Sequence, residues 1–149
     1  MNEPVPGCLI CEQEDADEAN RIWRDDLFAC EITPGFEVPG WIVVRVRRHA
    51  VGWPGLDEQE LSVVAQRLRD TVLIAKEVSG ADKVYTLIFG EAYPHFHALI
   101  APRGEDVPPE LRTARILDRR ATDLDVAASQ ALVPALRAAH ERLVASGVA

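Results

Sequence analysis

The sequence predicts an α+β fold: a mostly antiparallel sheet of about five strands, one long central helix and a C-terminal helix. Two observations carry this expectation. Runs rich in β-branched and aromatic residues come in pairs joined by short turns, with a long amphipathic stretch between the pairs, a pattern that favours antiparallel pairing over alternating βαβ units. No glycine-rich phosphate loop is present, since Gly90-Glu91-Ala92-Tyr93-Pro94 lacks the required glycines, so dinucleotide-fold and phosphate-loop readings lose their support.

Each element has a local cause. Residues 13–20 are polar and acidic and read as one short helix. Arg21-Ile22-Trp23 and Asp26 to Ile32 read as two strands around an Asp-Asp turn. Thr33-Pro34-Gly35 and Pro39-Gly40 break the chain before the strand Trp41 to Val46. Asp57 and Glu60 form a capping box, and Leu61, Val64, Leu68 and Val72 follow at helical spacing up to Ser79-Gly80, where glycine permits a left-handed cap. Lys83 to Phe89 and Phe96 to Ala101 form the second pair of strands, with Gly90 to Pro94 as the turn and Pro102 as the stop. Pro108 and Pro109 open a short helix over Glu110 to Leu117, and a final helix runs from about Asp123 to Leu143.

The 149 residues match one compact domain, 1–149, and 48% hydrophobic content supplies a core. No run of about 18 apolar residues marks a membrane span. Met1-Asn2-Glu3-Pro4 lacks the basic start and apolar run of a secretion signal, so the expected location is the cytoplasm. A net charge of -8 argues against a grip on nucleic acid, which needs a basic surface. Arg45, Arg47, Arg48 and His49 form a local basic cluster with two readings, a phosphate grip or a solvated strand edge. Three cysteines argue against a disulfide framework. The Cys8-x-x-Cys11 pair suits a metal or a redox couple, though no thioredoxin-like context surrounds it, and Cys30 sits in an apolar run as a small hydrophobe.

His95 and His97 are two apart at the start of a strand, so His95, His97 and Leu99 share one face while Phe96, Ala98 and Ile100 take the other. Two imidazoles on one face can bind a metal, hold a phosphate, or supply a nucleophile and its orienting partner. They can equally be surface or hydrogen-bonded structural histidines. His140, on the final helix, reads as a surface residue, and Trp23, Trp41 and Trp53 as core or subunit-contact residues. Arg103 is either a phosphate contact or a solvated strand end.

His95-Phe96-His97-Ala98-Leu99-Ile100-Ala101-Pro102-Arg103 resembles the signature of the histidine-triad family, in its zinc-binding bacterial type. Cys8-Leu9-Ile10-Cys11 is similar to that family's N-terminal C-x-x-C, Glu31-Ile32-Thr33-Pro34 to its acidic-Ile-Ser-Pro segment, and Pro39 through His49 to the stretch ending in a basic residue and histidine. The matching segments keep the family's order over 8–103; the helical extension, about 108–147, matches less specifically.

The resemblance implies a fold, a chemistry and a set of residues. His97 falls on the nucleophile, which attacks the α-phosphorus of a purine nucleotide derivative and carries a nucleotidyl intermediate that water hydrolyses. Glu31 falls on the position that holds the ribose hydroxyls. Cys8, Cys11, His49 and His95 fall on the ligands of a structural zinc, a natural tetrahedral set. The third triad histidine is replaced by Leu99, which cannot donate to a phosphate oxygen. Implied substrates are nucleoside phosphoramidates, adenylated small molecules and dinucleoside polyphosphates, and the implied assembly is a homodimer. The rival readings are a zinc-stapled nucleotide-binding protein without turnover and an enzyme repurposed for specialised metabolism.

Overall fold

The computed structural model describes residues 3–147; Met1 and Asn2, from the segment read for a secretion signal, and the last two residues lie outside it. Five strands form one antiparallel sheet: β1 (Arg21–Arg24), β2 (Phe28–Glu31), β3 (Ile42–Val46), β4 (Lys83–Leu87) and β5 (His97–Arg103), in the order β1-β2-β3-β5-β4. A one-turn helix α1 (Leu9–Glu12) precedes them, and the long helix α2 (Glu58–Ser79) connects β3 to β4. α2 starts at the expected capping box, where Asp57 accepts from the Glu60 N–H and Glu60 accepts from the Asp57 N–H. It ends at Gly80, whose φ of 69° is the left-handed cap that glycine permits.

The pleat sorts the sheet into two faces. Phe28, Cys30, Val44, Val46, Ala98 and Ile100 pack against α2 and the C-terminal helix. On the other face Val43, Leu99 and Ala101 pack with Trp41, Val107 and Ile116, so the chain after β5 folds back over it. The expected alternation along β5 holds, with Leu99 on one face and Phe96, Ala98 and Ile100 on the other.

Several local expectations need correction. Residues 13–20 form two 3₁₀ turns, Gln13–Asp15 and Glu18–Asn20, instead of one helix. Pro102 does not stop β5, which runs on to Arg103; β3 pairing ends at Ile42 opposite Ile100, so Pro102 sits beyond the paired edge and costs no ladder bond there. The segment expected as a helix over Glu110 to Leu117 is a 3₁₀ turn at Pro109–Leu111 and a 3₁₀ run at Thr113–Ala121. The final helix is divided into α3 (Val126–Ala131) and α4 (Val133–Ala145), because Pro134 has no N–H to continue the first and suits the opening turn of the second. Leu61 is exposed, and the buried stripe of α2 is Val64, Thr71, Ile74 and Ala75. His140 is half-buried and stacked on Trp23 at 5.4 Å between ring centroids, rather than on the surface. Trp23 and Trp41 are core residues, while Trp53 is exposed and meets Phe96 edge-on. Arg103 is buried beside Tyr85 and pairs with Glu105, so it is not a solvated strand end. No helix among the described residues is long and apolar enough to cross a membrane.

Candidate active site and metal centre

Cys8 caps α1 and Cys11 lies one turn on, a spacing that turns both sulfurs to one side. The Cys11 N–H donates to Cys8 Sγ at 3.3 Å. Against them come His49, just after β3, and His95, just before β5. Cys11 Sγ lies 3.2 Å from His49 Nδ1 and 3.4 Å from His95 Nδ1, and Cys8 Sγ lies 3.6 Å from His95 Nδ1. All four ligand atoms fall within 4.8 Å of one another. A tetrahedral zinc with ordinary Zn–S and Zn–N bonds requires sulfur–nitrogen separations of about 3.6 Å, so the donor set fits that ion in number, type and spacing. His95 is fully buried and its Nε2–H donates to the Val46 carbonyl at 2.6 Å, which leaves Nδ1 as the lone-pair atom facing the sulfurs. Burial pushes its pKa down to about 4, against the pull of that carbonyl, which favours the neutral ring a metal needs.

The same residue orients the second histidine. His97 Nδ1–H donates to the His95 carbonyl at 2.7 Å, fixing the tautomer in which Nε2 carries the free lone pair. Burial lowers the His97 pKa, with the His95 carbonyl opposing, so the neutral and nucleophilic form is favoured near pH 7. The sequence contained no signal for this acceptor, because it is a backbone atom.

His97 opens onto a cavity of about 320 Å³, within the usual range for small-molecule sites. Its walls are mainly apolar: Ile10 from α1, Phe36, Val43, Leu87 and Leu99. Thr33, Phe89 to Tyr93 and Leu117 with Arg120 complete the lining. Ile10, Phe36, Tyr93 and Arg120 were not singled out from the sequence. Ile10 packs with Cys8 and Cys11, and the sequence does not distinguish it from Leu9, the other apolar residue between the two cysteines.

Glu31 is corrected. It shares the sheet face of Val43 and Leu99, but it does not line the cavity. Its carboxylate is fully buried and accepts from Arg45 Nε at 2.8 Å and Arg45 Nη2 at 3.0 Å, leaving it committed to a buried ion pair. The basic cluster is corrected with it. Arg45 is buried and also pairs with Glu14 at 2.6 Å, Arg47 pairs with Glu14, and the partly exposed Arg48 pairs with Glu60, so none of these arginines is a free phosphate grip.

No family model matches the chain, and no curated protein matches it. Solved structures do. A hypothetical histidine triad nucleotide-binding protein from Sulfolobus tokodaii superposes with a TM-score of 0.70 at 21% identity, covering 91% of this chain and 93% of that one. A Zn-bound histidine triad family protein from Mycobacterium smegmatis gives 0.67 at 20% identity, covering 94% and 97%. The Plasmodium falciparum diadenosine triphosphate hydrolase, solved with Cyclomarin A, gives 0.62 at 12% identity, covering 85% and 79%. The chain has the histidine triad fold. Within that fold its own cluster of two cysteines and two histidines is a candidate zinc centre.

Proposed function

We propose that the protein is a nucleotide hydrolase or transferase acting at the α-phosphate of a purine nucleotide derivative, with His97 as nucleophile. The observation that carries this reading is the His97 ring, held through Nδ1 by the His95 carbonyl with its Nε2 turned to a mainly apolar cavity. The shared fold supports it, because neighbours of this architecture include a nucleotide-binding protein and a diadenosine triphosphate hydrolase.

In the first step the Nε2 lone pair attacks the α-phosphorus, a P–N bond forms, and the bond to the leaving group breaks with its electron pair. Positive charge develops on the imidazole and strengthens the Nδ1–H bond to the His95 carbonyl. Water then attacks the phosphorus, loses its proton to solvent, and expels Nε2 with its electron pair to release the mononucleotide. Leu99 lines the cavity and supplies no proton donor, so a leaving group that departs without help is favoured: a phosphate or an acyl carboxylate, ahead of an amine.

Cys8, Cys11, His49 and His95 would hold zinc as a closed structural site, since four protein ligands leave no position for a water. Bound there, the metal supplies a cross-link that ties α1 to the sheet. The working form we assign is a cytoplasmic homodimer of the one-domain chain. A second reading, nucleotide binding without turnover, is favoured by the apolar Leu99 where a donor would otherwise face the phosphate.

The test is mononucleotide release from adenosine phosphoramidate, an acyl-adenylate analogue and diadenosine polyphosphates, with wild type beside His97→Ala. Release that disappears in the variant supports nucleotidyl chemistry at His97. No release from any substrate by folded, zinc-loaded protein, with AMP still bound, favours the binding reading.

A further inference from the structure

Resting on that nucleotide reading, we infer that Arg120 is the residue that recognises the substrate phosphate. A nucleotide brings negative charge into a cavity whose walls are mostly apolar, and Leu99 gives it nothing to bond. Arg120 is the only Lys or Arg among the described residues lining that cavity, and Glu91 is the only carboxylate. A bound phosphate therefore finds its counter-charge at Arg120 and is steered away from Glu91.

Arg120 belongs to the Thr113–Ala121 run, where the 3₁₀ repeat of three residues per turn puts Leu117 and Arg120 on the same side. Both line the cavity. The run is anchored at its start, where the Thr113 N–H donates to the Tyr85 hydroxyl at 3.1 Å, and in its middle by Ile116, which is fully buried. The guanidinium is held from two directions. Its Nε donates to the Gly35 carbonyl at 2.7 Å, and its plane lies over the Phe36 ring at 4.1 Å. Gly35, at φ 87°, takes the left-handed conformation open to glycine in the turn that presents this carbonyl.

Neighbouring arginines are already occupied. Arg115 pairs with Asp118, Arg119 with Asp123, and Arg112 donates to the Val107 carbonyl. Arg120 has no carboxylate partner among the described residues, so its terminal amino groups stay available for an anion while its Nε is fixed. A preset guanidinium loses little freedom on binding, and a planar fork matches phosphate oxygens in pairs.

The experiment is titration calorimetry of the zinc-loaded full chain with AMP and GMP beside adenosine and guanosine, for wild type, Arg120→Ala and Arg120→Lys. The alanine variant is expected to weaken nucleotide affinity about tenfold or more, as loss of a charged hydrogen bond implies. Nucleoside affinity should stay within about twofold, and lysine should restore part of the loss. Added salt should weaken nucleotide binding by wild type more than by the alanine variant. Equal losses for nucleotide and nucleoside would overturn the inference and leave Arg120 as a prop for Phe36. Unchanged nucleotide affinity in the alanine variant would overturn it alone, with nucleotide binding by wild type intact. Wild type that binds none of the four compounds would remove the nucleotide reading and this inference with it.

Discussion

Replacing Glu31 with Gln separates a structural role from a ligand-binding one. In the structure Glu31 and Arg45 are both fully buried, and two hydrogen bonds join them. Removing one partner of such a pair leaves a buried charge uncompensated, at a cost of about 3–5 kcal/mol. Arg45 keeps its ion pair to Glu14, so the lower end, about 3 kcal/mol, is expected. For a chain of this length each kcal/mol moves the melting temperature by about 2–4 °C, which gives a fall of about 6–12 °C. Glutamine matches glutamate in shape, so overpacking does not contribute. The assay is thermal unfolding followed by circular dichroism, paired with nucleotide titration below the variant's transition. AMP affinity should be unchanged, since Glu31 does not line the cavity. A variant that melts with wild type but binds AMP tenfold more weakly would refute the reasoning and return Glu31 to the ribose.

Three further outcomes are expected. Zinc measured by elemental analysis should be stoichiometric and should protect the Cys8 and Cys11 thiols from alkylation; Cys11→Ser or chelation should lower the melting temperature and weaken nucleotide binding, because Ile10 and Tyr93 pack with the cysteines and also line the cavity. His140 is held below its ordinary pKa by burial, with Asp70 opposing, so the unfolded chain binds its proton first and stability falls as pH drops below about 6.5; His140→Phe should flatten the slope of melting temperature between pH 7 and 5. Leu99→His should raise phosphoramidate hydrolysis about 10²–10³-fold where the loss of a donor limits turnover; an unchanged rate, measured by mononucleotide release, would favour a repurposed pocket.

What was legible in the sequence was whatever a short stretch decides by itself. The Asp57–Glu60 capping box, the Gly80 cap, the alternation along β5 and the C-x-x-C turn all depend on residues a few positions apart. What was not legible depends on residues from other strands or on competition between helix types. Glu31 fits a ligand contact by its local letters, yet Arg45, diagonal to it on β3, occupies its carboxylate. His140 reads as surface on its own helix, but α4 packs against β1 and brings it onto Trp23. The run 113–121 begins at Thr113 with a φ of 58°, a conformation few threonines adopt, so no propensity argument points to the 3₁₀ turns that carry Leu117 and Arg120 to the cavity.

One backbone segment, Pro94 to His97, links the two centres. The ring of His95 faces the cysteines, its Nε2 is bound to the β3 carbonyl of Val46, and its own carbonyl holds the ring of His97. A shift of the His95 backbone therefore moves the acceptor that sets the His97 tautomer. On the other side of the cluster, α1 carries Ile10 into the cavity wall between the two cysteines. A metal held by Cys8, Cys11, His49 and His95 would fix the His97 ring and one wall of the cavity together. On the reading proposed above, a metal at this cluster would act on affinity through preorganisation, and its removal should be felt at His97 and at Ile10.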